Sequence, residues 1–161
     1  MIYFSEQFLE ARSNKIEYNG SIIHRFFRFD KPGEYIFRFK FISSNSNLNQ
    51  AIVIFYGNLI GKIVLEDKDV SKDKNVFSRI VFYEDTAPKQ IDLKIKVDGG
   101  YLTICNGSDS DGTKCFCHTL SFGCAMKVEE IGENHFKFYC NDYENDDDFD
   151  DLIFELEIIK T

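Results

Sequence analysis

Over most of this chain the side-chain pattern repeats every second residue. In 34–41, Tyr35, Phe37, Phe39 and Phe41 alternate with Glu34, Ile36, Arg38 and Lys40. In 91–97, Ile91, Leu93, Ile95 and Val97 alternate with Asp92, Lys94 and Lys96. Residues 135–140 put Phe136, Phe138 and Cys140 on one face, and 152–158 set Leu152, Phe154, Leu156 and Ile158 against Ile153, Glu155 and Glu157. Successive side chains of an extended strand point to opposite sides, so a period of two marks sheets with one dry and one wet face.

More continuous apolar runs at 51–56 and 60–65 read as better-covered strands flanking a turn at Gly57-Asn58, and 77–84 reads as another strand. Pro32-Gly33, Asp98-Gly99-Gly100, Asn106-Gly107 and Asp111-Gly112 read as further turns. Only 5–12 has helical spacing, with Ser5 as a candidate cap, and a chain with four Ala disfavours longer helices. The expected fold is all-β, an antiparallel β-sandwich of about nine strands with negligible helix. No repeat or linker is visible, and 161 residues suit a single domain, 1–161, with its own core.

Net charge is −8, and one segment carries nearly all of it. Asp142, Glu144, Asp146, Asp147, Asp148, Asp150 and Asp151 are seven acids within ten residues, with no base among them. The remainder is close to neutral and offers no basic stripe, so nucleic acid is not an expected partner. No apolar run reaches the roughly 18 residues of a membrane helix, so no membrane span is expected. The first residues lack the basic-then-apolar order of a signal peptide. The chain is expected to stay in the cytoplasm, to leave by a non-classical route, or to have been parted from a leader. Its place of action is then a cell surface or the extracellular space.

Crowded carboxylates resist folding, because each disfavours the ionisation of its neighbours. A hard divalent cation reverses that cost: calcium takes six to eight oxygens at about 2.3–2.6 Å, which short acidic side chains in a tight loop can supply. Phe149 lies amid the acids, where an apolar anchor can tuck into the core and force its neighbours to converge. The bland alternative is a solvated charge run. The spacing is not that of an EF-hand, which needs an Asp-x-Asp-x-Asp-Gly start and a Glu at its twelfth position.

Asp146-Asp147-Asp148-Phe149-Asp150-Asp151 resembles the Asp-x-Asp-(Phe/Tyr)-(Asn/Asp)-Asp signature of the bacterial two-calcium lectins, small β-sandwich proteins that bind fucose, mannose or related sugars directly through two calcium ions. The resemblance extends to the Phe-led segment 136–141, to the closing strand 152–161, and to Phe41-Ile42-Ser43-Ser44-Asn45, which is similar to the strand end and loop beside the sugar site. It implies calcium ligands at Asp142, Asp146, Asp148, Asp150 and Asp151, with Asp148 and Asp151 bridging two ions. It implies sugar contacts from Ser43, Ser44, Asn45, Asn145, Asp146, Asp148 and Asp151. It also implies a homodimer, in which the terminal carboxylate of Thr161 reaches a partner's calcium site. Asp142 stands where the family usually has Glu, Asp150 where Asn is usual, and Ile42 where an Asn ligand is expected. Tyr143 is the nearest aromatic for a sugar face, or packs across the loop.

Five cysteines, Cys105, Cys115, Cys117, Cys124 and Cys140, all fall in the later part of the chain. Cys115-Phe116-Cys117-His118 is a conceivable zinc site without the paired Cys-x₂-Cys spacing that marks one strongly, and buried thiols or disulfides are the alternatives. Asn19-Gly20-Ser21 and Asn106-Gly107-Ser108 match the glycosylation sequon, though Asn-Gly is first a turn signal. Asp109 and Asp111 could hold a further weak cation, or belong to a solvated turn. His24, His118 and His135 are scattered, and neither a nucleophile elbow nor a phosphate-cradling loop is present, so the chain is not expected to be an enzyme. The expected function is calcium-dependent carbohydrate binding. The alternative is a calcium-stabilised structural or adhesion domain with a protein partner and no sugar site.

Overall fold

The structure, a computed structural model, describes residues 4–57, 59–72, 79–109, 124–142 and 147–161. Within them lie one helix, α1 (Phe4–Ala11), and thirteen strands. These are β1 (Lys15–Tyr18), β2 (Ser21–His24), β3 (Phe27–Phe29), β4 (Gly33–Ser44), β5 (Asn49–Phe55), β6 (Lys62–Leu65), β7 (Lys68–Asp69), β8 (Arg79–Tyr83), β9 (Gln90–Val97), β10 (Leu102–Asp109), β11 (Ala125–Gly132), β12 (His135–Asn141) and β13 (Leu152–Lys160). They form a nine-stranded sheet, β1-β2-β11-β12-β13-β4-β9-β6-β7, and a four-stranded sheet, β3-β10-β5-β8. Every pairing is antiparallel, and the two sheets make an all-β sandwich. No described helix is long and apolar enough to cross a membrane.

The alternation in the sequence becomes the two faces of the large sheet. In β9, Ile91, Leu93, Ile95 and Val97 are buried, while Gln90, Asp92, Lys94 and Lys96 are exposed. Phe37, Phe39, Phe138, Phe154 and Leu156 form the inner face of the large sheet, against Ile52, Ile54, Leu102 and Ile104 of the small one. Phe138 and Phe154 are register partners on β12 and β13, and their rings stack at 4.5 Å with an interplanar angle of 8°. Across the sandwich, Phe27 meets Phe138 edge-on at 5.3 Å and Phe29 meets Phe37 at 5.1 Å. Edge-to-face contact matches the ring's positive rim to a negative face, adding to the burial of apolar area.

Several expectations are corrected. Thirteen strands replace about nine, because β1, β2, β3 and β7 are two to four residues long, too short to show a period. The runs at 51–56 and 60–65 do not share a sheet: β5 belongs to the small one and β6 to the large one. The crossover presses Gly61 onto β9, where a Cβ would lie 1.6 Å from the Lys96 carbonyl oxygen. Asn106-Gly107 is no turn but the middle of β10, paired with Ile52 and Ala51. Asn106 is buried, and its side-chain amide donates to the Asn141 carbonyl, so the sequon at Asn106 is not a surface site. Asn19-Gly20 does form the tight turn, with φ of +49° and +79° between the register partners Tyr18 and Ser21. Positive φ at both central residues is what a two-residue hairpin of this hand requires. Ser5 lies inside the first turn of α1, not at its cap.

An eight-residue helix is not stable alone, and α1 is held by its apolar stripe. Phe4 and Phe8 lie one turn apart and enter a second core with Ile23, Ala125 and Phe149. Cys105 and Cys140 are free, buried thiols. Burial pushes both thiols far above the ordinary range, and Cys140 is raised further by its neighbours Cys105 and Asp151.

Two outcomes are expected from this packing. Phe154→Ala removes the ring stacked on Phe138 and lowers unfolding free energy by about 3–5 kcal/mol, read by urea denaturation. Iodoacetamide leaves Cys105 and Cys140 unlabelled in native protein and labels both in urea, as mapped by peptide mass. Native labelling of either would contradict the burial described.

Candidate metal centre

The connection from β12 to β13 folds because its apolar member has somewhere to go. Phe149 is 3% exposed and packs its ring 5.6 Å from that of Phe4. The ammonium of Lys127 sits 4.5 Å from the centre of the Phe149 ring, a cation–π contact on the inner side of the loop. To point inward Phe149 adopts φ +54°, a left-handed conformation that costs a non-glycine residue about 1 kcal/mol. Its N–H donates to the side-chain oxygen of buried Asn141 at 2.7 Å. The loop is thus pinned by one ring and one backbone hydrogen bond, and the aspartates on either side turn together.

Three of them meet. One carboxylate oxygen from each of Asp148, Asp150 and Asp151 lies within 4.8 Å of the others. Two oxygens on opposite sides of a calcium ion at about 2.4 Å are themselves about 4.8 Å apart, so the spacing suits a shared cation. Without one, each pair of charges at that distance repels by about 1 kcal/mol even in water. Asp151 is 3% exposed, Asp150 half-buried and Asp148 exposed. The group therefore has a buried floor and a wet rim.

Asp150 carries the sharpest signal. Its Oδ2 accepts from the side-chain amide of Asn45 at 2.8 Å, while its Oδ1 is buried with no hydrogen-bond partner among the described residues. A buried carboxylate oxygen without a donor is costly, and a hard cation satisfies it. Asn45 also donates its N–H to the Asp151 carbonyl at 3.2 Å. It reaches the loop because β4 carries a bulge opposite Ile153 and Phe154, with Ile42 as the extra residue. Bulges re-aim the chain that follows them, and here the following residues are Ser43, Ser44 and Asn45.

The other candidates are placed as follows. Asp142 is fully buried but stands outside the group of three. Its Oδ2 accepts from the Ser46 hydroxyl and from the Gln50 amide at 3.0 Å, and its N–H donates to Asp151 Oδ2 at 2.9 Å. Asp142 thereby braces Asp151. The Ser44 hydroxyl donates to Glu84 at 2.8 Å, and exposed Ser43 pairs with Ile153. Asp147 accepts from the Tyr18 hydroxyl at 3.0 Å, tying the loop to the β1–β2 hairpin. Thr161 lies at the far end of β13, donating its N–H to the Glu34 carbonyl, and within one chain it does not approach the loop. Asn145, Asp146 and Tyr143 lie outside the described residues, as do Cys115, Cys117, His118 and Asp111.

Sequence reasoning missed Ser46, Gln50, Asn141 and Tyr18, which position the loop. Gln50 and Asn141 had a readable signal, each being an amide at the end of an apolar strand segment. Strand β13 is paired on both sides, by β12 and β4, so it is not an edge of the large sheet. No family model matches this chain, and no curated protein or solved structure is significantly similar to it.

Phe149→Ala should remove about 3 kcal/mol or more of stability and release the convergence of the loop. Whatever affinity the acidic group has for calcium, measured calorimetrically, is expected to fall at least tenfold although no carboxylate has been touched. Unchanged affinity would show that the acids converge without the anchor.

Proposed function

We propose that the chain is a calcium-dependent carbohydrate-binding domain. The supporting observation is the asymmetry of the acidic group: Asp150 Oδ1 is buried and has no partner among the described residues, while Asp148 beside it faces solvent. Asp148, Asp150 and Asp151 would hold the ion, with Asp146 and Asp142 as the further members of a two-calcium set. When bound, such an ion offers coordination positions on the solvent side that vicinal sugar hydroxyls take in place of water. Asp148 at the rim can accept hydrogen bonds from the same hydroxyls, and Asn45 holds Asp150 in place. The resemblance of 146–151 to the two-calcium lectins points to fucose- or mannose-type monosaccharides. Thr161, remote from the loop within one chain, would join a calcium site only across a homodimer.

A second reading has its own support. Asp142 is closed in by Ser46 and Gln50, and Asp151 is buried beside it, as in a site that only stabilises the fold. In that reading the chain is a calcium-stabilised structural or adhesion domain.

Thermal unfolding with calcium, with chelator, and with calcium plus fucose, mannose or galactose separates these readings. Calcium at a hundredfold excess over its dissociation constant should add about 2.7 kcal/mol, and one sugar should add more only when calcium is present. A calcium effect without any sugar effect supports the structural module. No calcium effect defeats both. Asp150→Asn should lower calcium affinity at least tenfold, yet slightly raise the melting temperature in chelator by relieving like-charge repulsion.

A further inference from the structure

A concavity lies away from the acidic loop, at the end of β1 opposite Tyr18. It has a volume of about 690 Å³ and opens between the β1–β2 hairpin and the β3–β10 edge of the small sheet. That volume falls within the range of small-ligand sites. Its walls include Phe26, Phe27, Phe55 and Tyr101. Phe27 is held rigid by Phe136 at 4.9 Å and Phe138 at 5.3 Å, so this part of the wall is continuous with the core.

The polar lining combines two cations, Lys15 and Arg28, with Asp30, His24, Asn14 and Thr103. Lys15 lines it and has no carboxylate within ion-pair distance among the described residues. The Arg28 guanidinium lies 3.9 Å from the centre of the Tyr101 ring. Stacking fixes the plane of that group and leaves its N–H edges available. The one acid at the cavity, Asp30, stands 4.0 Å from Arg28, too far for a hydrogen bond, and both side chains are mostly exposed. Aromatic walls with two cations and one loosely engaged acid form an exception on a chain of net charge −8.

We propose that this cavity binds a small planar aromatic carboxylate, its ring among Phe26, Phe27, Phe55 and Tyr101 and its carboxylate on Arg28 and Lys15. A planar fork such as that of Arg28 matches a carboxylate in two-point fashion, and a flat ring fits between aromatic walls. An uncharged ligand of the same shape would leave both cations unanswered. The site is independent of calcium and of the acidic loop.

The test uses indole-3-acetate as probe and its neutral amide as control, titrated calorimetrically into the full chain in chelator. Saturable one-to-one binding of the acid is expected, with the amide at least tenfold weaker. Arg28→Gln and Lys15→Gln should each weaken the acid several-fold, and together at least tenfold, while circular dichroism and the melting temperature stay unchanged. Lys137→Gln, on the outer part of the large sheet, should leave binding as it was. Absence of saturable binding overturns the proposal. So does equal affinity for acid and amide, or wild-type affinity in the double variant.

Discussion

The pairing of β4 with β13 is the constraint on which the rest depends. The ladder runs from Leu152 against Ser44 to Lys160 against Tyr35, with one bulge. It lies inside the nine-stranded sheet, with β12 beyond β13 and β9 beyond β4. Because side chains alternate along both strands on the far side of that bulge, this one register puts Phe37, Phe39, Phe154 and Leu156 on the same face. A slip of one residue would turn that whole face into water. The same ladder delivers Asn45 and Asp151 to one place, so the core register and the geometry of the acidic loop are a single choice.

At the loop, two opposed terms are balanced on adjacent residues. Burying Phe149 among Phe4, Phe8, Ile23 and Ala125 is favourable, of the order of 2 kcal/mol for a side chain of that size. The conformation that allows it is strained, and it drives Asp148, Asp150 and Asp151 together. Hydrogen bonds from Asn45, and to Asn141 from the loop backbone, absorb part of the strain. They leave Asp150 Oδ1 without a donor among the described residues, the state in which a cation has most to contribute. The two places of chemical interest then differ in kind. One is an acidic group with a buried floor, and the other an aromatic recess with cations at its mouth.

Much of this was legible because the relevant physics is local. Strands β4, β9, β12 and β13 were readable from alternation, and the role of Phe149 from its isolation among acids. A role for Asn45 beside the loop was implied only by the family resemblance of 41–45, and no local pattern pointed to it. Strands β1, β2, β3 and β7 were not readable, since a few residues cannot display a period. Asn106-Gly107 misled because a turn dipeptide is a local preference, and burial against Asn141 overrode it. Gln50 and Ser46 could not be linked to Asp142, because nothing in sequence measures a separation of more than ninety residues.

What the sequence by itself determined was the all-β class, the dry and wet faces of the main strands, and the one segment where negative charge is concentrated. These follow from side-chain order along an extended chain, which needs no knowledge of partners. Only the tertiary structure decided that Asp148, Asp150 and Asp151 meet, and that Asp142 outside that group is held by Ser46 and Gln50. It also placed Lys15, Arg28 and Tyr101 around one recess. Those are distances between residues remote in the chain, and they are set by strand register and sheet packing, which no local pattern encodes.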